Sequence, residues 1–373
     1  MVNAGSSSLK LSVLDDNDEV ITSESLAAPG GQVDQGALRA VVERHGPIEG
    51  VGHRIVHGGT EFTAPVLVTP PVERRLEALS DLAPLHQPKS LRGLRALSRL
   101  LPTVPAVACF DTAFHATIPA AAHTYALPAQ WRRRWDLRRF GFHGLSHSYA
   151  SRRAAAMVPA RPGGPLRVLT CHLGAGASLA AVVGGVSVDT TMGFTPLEGL
   201  VMATRSGSVD PGLLLWLEEH VGMPPTELAA TLENRSGLVG LAGTADMRQV
   251  LARQAQGDPD AVLALGVYLH RLTASMAAMV AAMAGLDVIV FTGGVGEHSA
   301  PVRAQAVAAL GFLGAALDEG ANQDPQPDCE LTAPGSPVRT LLVAAREDLE
   351  IARGVREVLG PAGAGPTSGP EQH

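Results

Sequence analysis

Cysteine is scarce in this 373-residue chain: Cys109, Cys171 and Cys329 are odd in number and widely spaced. That pattern supports neither a disulfide framework nor a thiolate metal site, and it fits a reducing compartment. His, Asp and Glu never fall at zinc-motif spacing either. The start lacks a charged segment leading into an apolar one, so no signal peptide is expected and the expected location is the cytoplasm. The uncharged run from Thr273 to Leu286 is Ala- and Met-rich, too short to cross a bilayer, and reads as a buried helix. Lysine is almost missing, with Lys10 and Lys89 alone, so arginine carries nearly all the positive charge. That skew, with heavy Ala, Leu, Gly and Pro usage, points to a GC-rich coding sequence rather than to a function. A net charge of −7 argues against a nucleic-acid partner, whose phosphates need a basic face. Neither GxxxxGK followed by Ser or Thr, nor GxGxxG between a strand and a helix, occurs. Ordinary P-loop and Rossmann readings lose their support, and with them an NAD-dependent dehydrogenase.

What remains is a chain with 46% apolar and 17% charged residues, which reads as globular and long enough for two domains. One device occurs twice. Residues 2–13 run from a small-residue loop into an alternating strand, and residues 171–182 do the same. Each continues through a turn, Asp15 to Asp18 or Gly184-Gly185, into another apolar segment. The repetition suggests two similar α/β domains facing a shared cleft; chance likeness between Gly/Ser-rich turns is the plainer reading. Helices are expected at Val72 to Leu79, Pro88 to Leu101, His147 to Met157, Pro211 to His220, Pro225 to Leu232 and Asp258 to Gly285. A strand is expected at Asp287 to Phe291, opening into a glycine loop at Gly293 to Gly296. A late strand (Leu341 to Ala344) and a closing helix (Asp348 to Leu359) follow. The Gly/Pro/Ser-rich tail from Gly360 is expected to lack order.

Three kinds of chemistry stand out. Asn3 to Lys10, Gly174 to Ser178 and Gly293 to Gly296 each offer small residues whose backbone N–H groups can approach an anion. Arg54, between two histidines in HRIVHGG, and Arg205, in TRSG, could stabilise the charge that phosphoryl transfer spreads over three oxygens. Either could equally pair with a surface carboxylate. Asp111 follows an apolar strand, a usual place for a catalytic group. His143 sits among aromatics and glycines and could donate to a transferring phosphoryl group; His147 is expected to hold loop backbone. Glu347 follows the late strand, where a carboxylate could hold Mg²⁺ directly or through water.

Taken in order, NAGSSSLK, HRIVHGG, APLHQP, FDTAFH, GFHGLSH, CHLGAGAS, DTTMGFTPLEGL, TRSG, SGLVG, GTADMR, FTGGVGE and REDLEIAR resemble the acetate kinase family from Asn3 to about Arg353. The resemblance implies a duplicated, actin-like (ribonuclease H-like) α/β fold around a nucleotide cleft. One domain would comprise residues 1–113 plus 349–373, the other 114–348. It implies a phosphate loop at Asn3, Ser6, Ser8 and Lys10, with Arg54 and Arg205 flanking the transferring phosphoryl group. His143 would stabilise the transition state, Asp111 would orient the reacting groups, and Asn3 and Glu347 would lie at the metal. His86 and His172 would be further polar contacts. Val56, Leu85, Phe142 and Pro196 would form the apolar substrate pocket. His172, Gly174, Gly176, Asp246, Met247, Arg248, Gly294, Val295 and Gly296 would serve ATP.

The implied reaction is Mg²⁺-dependent (or Mn²⁺-dependent), reversible in-line transfer between ATP and acetate. Propionate kinase and a non-catalytic nucleotide-binding paralogue are the alternatives. The implied partners are a small carboxylate, a nucleotide and a second copy of the chain, with no nucleic acid and no membrane. Three departures from the family pattern bear on activity. Ala175 stands where an Asn is usual, Ser208 stands where TRSGD has its Asp, and only two residues precede Asn3. The last implies either a misassigned start codon or a weakened first strand inside a sheet.

Overall fold

The computed structural model describes residues 1–4, 8–28, 34–83 and 87–360. Ser6, Leu85, His86 and the tail beyond Gly360 lie outside the described residues. The chain divides into two compact units, Met1–Phe114 with Arg346–His373, and His115–Ala345.

The first unit holds β1 (Val2–Ala4), β2 (Ser8–Leu14), β3 (Val20–Ala27), β4 (Val51–Ile55), β5 (Val66–Leu67) and β6 (Ala106–Phe110). Their order in the sheet is β3-β2-β1-β4-β6-β5. The second unit holds β7 (Arg167–Leu173), β8 (Ala177–Val183), β9 (Val186–Thr190), β10 (Val288–Thr292), β11 (Cys329–Glu330) and β12 (Arg339–Leu342). Read from β9, its order is β9-β8-β7-β10-β12-β11. Pairing senses repeat as well. β1/β2, β2/β3 and β5/β6 are antiparallel, as are β7/β8, β8/β9 and β11/β12. β1/β4, β4/β6, β7/β10 and β10/β12 are parallel. The two hairpins read from sequence are therefore equivalent parts of one duplicated mixed sheet.

The first strand is present but short. β1 sits inside its sheet, matched to β2 over three residue pairs and to β4 over one, Val2↔His53. Its counterpart β7 meets β10 over five pairs, so the β1–β4 seam is the weaker of the two. The β2–β3 turn is closed by Asp15, whose carboxylate accepts from Asn17 N and Glu19 N at 2.8 Å each. Helix Glu347–Leu359 packs on β4 and β6. At Gly52 a Cβ would stand 2.3 Å from Ile351 Cγ2, so only glycine lets that helix approach so closely.

In the second unit, helix Pro259–Ala282 is capped by Asp258, whose carboxylate accepts from Asp260 N and Ala261 N. By length and composition it could cross a membrane. Here it packs on β7, β8 and β9 and on helices Gly237–Ala242 and Met247–Ala255. Leu265, Tyr268, Leu272, Met276 and Met279, at three- and four-residue spacing, are its buried stripe. Each of the large aliphatic members stabilises the unit by roughly 1.5–3 kcal/mol. One expectation is corrected. Gly293 to Gly296 is not a loop but the first turns of helix Gly293–His298, started by Gly293 at φ 79°. A Cβ on Gly293 would press to 2.9 Å from Leu173 O.

Candidate active site

In the first unit the parallel register of β4 and β6 brings two strand ends together. Arg54 is opposite Cys109, and Asp111 follows β6 with its N–H donated to Ile55 O. Arg54 grips Asp111 bidentately, Nε to Oδ1 at 2.9 Å and Nη2 to Oδ2 at 2.5 Å. Arg54 Nη1 donates to Asn3 Oδ1 at 3.1 Å, and Asn3 Nδ2 donates to Glu347 Oε2 at 3.0 Å. Glu347 Oε2 lies 3.7 Å from Arg54 Nε, closing the ring. Asp111 is only 1% exposed. Burial pushes its carboxyl up, and the charge and hydrogen bonds of Arg54 oppose that. Burial works against the Arg54 cation too, yet Asp111 and Glu347 raise it and hold it protonated. Four of the expected residues, separated by up to 344 positions, thus form one polar set.

Val56 is buried one residue beyond β4. Gln87 clasps the next residue, accepting from His57 N at 3.1 Å and donating to His57 O at 3.1 Å. Nothing in the local pattern around Gln87 marked that clasp. Ser8 opens β2, and Lys10, exposed, stands opposite Asn3 in the β1–β2 register.

In the second unit, His143 takes a left-handed conformation (φ 56°, ψ 23°) just before helix Gly144–Met157. Its Nδ1 lies 2.9 Å from Ser178 Oγ, and its ring centroid lies 4.4 Å from that of His172. His172 Nδ1 in turn meets Ser146 Oγ at 2.8 Å. Gly174 and Gly176 form the β7–β8 turn, with Gly174 N donating to Gly176 O. A Cβ at Gly176 would stand 3.0 Å from Arg205 Nη2 and 3.1 Å from His143 Nε2, so the turn lies against the tips of both side chains. A Cβ at Gly174 would stand 3.8 Å from Gly294 N. The structure therefore groups His143, Arg205 and Gly176, with Gly174 and Gly294 adjoining. Arg205 Nη1 donates to Pro196 O at 2.7 Å, which fixes the guanidinium against one of the expected substrate-pocket residues. Phe142 is buried.

His147 departs from expectation. Its ring bonds side-chain hydroxyls, Thr170 Oγ1 and Ser178 Oγ at 2.7 Å each, and holds no loop backbone. Ser208 replaces the expected carboxylate with a neutral bond, accepting from Gly199 N at 3.0 Å. Asp246 caps helix Met247–Ala255 and binds the Arg248 guanidinium, while Met247 is buried. Beside Gly294, Val295 and Gly296, sequence reasoning missed the supports. Buried Arg303 donates to Gly296 O at 2.9 Å, Glu297 O at 2.7 Å and Asn322 Oδ1 at 2.7 Å. Glu297 Oε1 accepts from Gly293 N and Ala345 N at 3.0 Å each. Their only sequence signal was charge in an otherwise apolar neighbourhood.

His115 steadies the His143 turn. Its Nε2 lies 3.1 Å from Phe142 O and its Nδ1 2.8 Å from Ser187 Oγ. Burial pushes this imidazole down to about 4. The unfolded chain therefore takes up the proton first as pH falls, near 6.5. Stability is full above that value and declines between 6.5 and about 4, by about 3 kcal/mol at most from this one group. Urea unfolding at pH 7 and pH 5 should show that loss, and a smaller pH slope in His115→Gln. Equal slopes in both proteins would remove His115 as a source.

Comparison with known proteins shows the family. The model of the acetokinase family matches residues 32–353. The chain belongs to the acetokinase family. An acetate kinase from Synechococcus sp. is 50% identical over 313 residues, 84% of this chain and 77% of that protein. The crystal structure of Porphyromonas gingivalis acetate kinase superposes with a TM-score of 0.87 at 33% identity, covering 96% of this chain and 98% of that one. A propionate kinase from Francisella tularensis matches at TM-score 0.88 and 33% identity, with the same coverage. The duplicated sheets are thus the actin-like α/β fold of the acetokinases, and the chain is a kinase that phosphorylates a carboxylate.

Proposed function

We propose that the chain is an acetate kinase, transferring a phosphoryl group reversibly between ATP and acetate to give acetyl phosphate and ADP. The observation that carries this reading is the convergence of Arg205, His143 and the Gly174–Gly176 turn in one unit. A glycine turn with free backbone approach, flanked by a guanidinium and an imidazole, suits a charged, three-oxygen group. Acetate is already ionised at neutral pH, so no strong general base is needed, and catalysis consists of positioning and charge stabilisation. Arg54, fixed in orientation by Asp111, presents a rigid fork suited to carboxylate or phosphoryl oxygens. Val56, Phe142 and Pro196 would take the methyl group.

The donor chemistry fits Mg²⁺. Asn3 Oδ1 and the partly open Glu347 carboxylate are hard oxygen donors. Among the described residues no group of three or more His, Cys, Asp or Glu forms a metal cage. Mg²⁺ characteristically uses one or two carboxylates with substrate phosphates and water. When bound, the ion would neutralise nucleotide phosphate charge; Asn3 and Glu347 would hold it.

Ala175 forgoes the amide usual in the family, and losing one hydrogen bond to a charged phosphate costs about 1.5–3 kcal/mol. A slower or more weakly binding enzyme is therefore expected. The family's dimer fits the exposed apolar side chains Leu213, Leu215 and Trp216 on helix Pro211–Trp216. An ATP-dependent activity suits the cytoplasm. The two domains we assign are the two compact units, each with its own sheet.

The test is purified protein with Mg²⁺-ATP, acetate and hydroxylamine, followed as acyl hydroxamate, with propionate and butyrate in parallel. Acetate-dependent hydroxamate is expected. Faster product from propionate would favour the second reading, which the likeness to the Francisella tularensis propionate kinase supports. One methylene in an apolar pocket changes preference by only about 1–3 kcal/mol. ATP binding with no product from any acid would overturn the kinase.

A further inference from the structure

We propose that Ser178, His147 and Thr170 form a buried hydrogen-bond chain that fixes the His143 ring with a proton on Nδ1 and leaves Nε2 to meet the phosphoryl group. The inference rests on the role given to His143 above. The fold places these residues on one face: Thr170 and His172 alternate along β7, and their partners Ala180 and Ser178 alternate along β8. Helix Gly144–Met157 packs against β7. His147 lies one turn after His143, with its N–H donated to His143 O at 2.9 Å. Ser178 Oγ bridges the two rings, at 2.9 Å from His143 Nδ1 and 2.7 Å from His147 Nε2. His147, Ser178 and Thr170 are fully buried, so each polar atom must find its partner inside the protein.

Counting protons sets the direction. Thr170 has one hydroxyl hydrogen and gives it to Ala180 O at 3.4 Å, so its oxygen accepts from His147 Nδ1–H at 2.7 Å. Burial pushes His147 well below its ordinary range, with His115 and His172 adding to it; the ring is neutral and Nε2 is a bare acceptor. That nitrogen takes the single hydrogen of Ser178. The Ser178 oxygen then accepts from His143 Nδ1–H. It can do so whether His143 is neutral or cationic, so only Nε2 changes protonation. Nε2 is the atom beside the Gly176 turn. A phosphoryl oxygen arriving there meets a nitrogen that can carry a proton and donate it, while the ring cannot turn its other nitrogen forward. Ser178, His147 and Thr170 are positioning residues: they act through His143.

The test combines a spectrum with kinetics. In ¹⁵N-labelled protein, long-range ¹H–¹⁵N correlation of the imidazoles should show neutral His143 as the Nδ1–H tautomer. Ser178→Ala and Thr170→Val should shift it toward Nε2–H. Both should lower kcat by about tenfold or more, the scale on which lost outer-shell partners and wrong tautomers act. The KM for ATP should stay near that of the parent. Thr170→Ser keeps the hydroxyl and should restore spectrum and rate together. Thr170→Val is nearly isosteric, so it answers the question even if Ser178→Ala does not fold. An Nε2–H tautomer in the parent overturns the chain, and so does Thr170→Val with parental tautomer and rate. His143→Gln separates the two levels. If that variant keeps parental kcat, the role of His143 is wrong whatever the spectra show.

Discussion

Arg205→Ala should lower kcat by about 10²- to 10³-fold while the protein remains folded. The guanidinium is held by a 2.7 Å bond to Pro196 O, and its other tip lies against the Gly176 turn. It is thus oriented before any substrate arrives. Losing the charge-assisted bond to the Pro196 carbonyl costs about 1.5–3 kcal/mol of stability, within what a domain tolerates. The protein should therefore stay folded while turnover falls, and thermal melts beside initial rates in both directions will separate the two losses. Because Arg205 also anchors Pro196, acetate KM should rise while ATP KM moves less. Arg205→Lys keeps the charge without the planar fork, and an intermediate rate is expected. A parental kcat in Arg205→Ala would remove Arg205 from the transition state. A parent with no turnover at all would make the chain a nucleotide-binding relative instead.

The sequence was informative where one physical rule acted locally. β2 and β8 are short apolar runs next to aspartate or glycine turns, so both hairpins were legible, and with them the duplication, although β8 is buried on both faces and does not alternate. Helix ends followed their caps: Asp258 and Pro259 start the long helix where expected. Gly293 to Gly296 misled, because glycines that usually mark a loop here let a helix begin hard against Leu173. Helix Gln35–Arg44, capped by Asp34 but burying only Leu38 and Val41, left too faint a stripe to notice.

For the site, residue types were legible and partnerships were not. Arg54 and Asp111 each looked chemical, yet Arg54 could equally have paired with a surface carboxylate, and nothing local tied it to Asp111. Only the register of β4 with β6 joins them. Ser178 gave no sign of its own. Its significance depends on β7, β8 and a helix that starts more than thirty residues earlier meeting at one hydroxyl.

The Arg54–Asp111 pair should behave as one unit, and a double-mutant cycle will show it. Asp111→Ala leaves a largely buried guanidinium with Asn3 Oδ1 and a more distant Glu347, and Arg54→Ala leaves a buried carboxylate without its bidentate donor. Breaking one side of a buried pair typically costs about 3–5 kcal/mol, mostly because the remaining charge stays desolvated. The double variant buries neither charge. Its loss should fall short of the sum of the single losses, with a coupling of about 1–3 kcal/mol in urea unfolding. Turnover should show no such recovery, since all three variants lose the oriented fork. Asp111→Asn refines the point. It preserves shape but offers Arg54 one carbonyl oxygen and an unfavourable N–H, so it should cost less stability than Asp111→Ala and still lower kcat. Strict additivity would separate the pair energetically despite its geometry, and Glu347 would then be the anion that holds Arg54 in place.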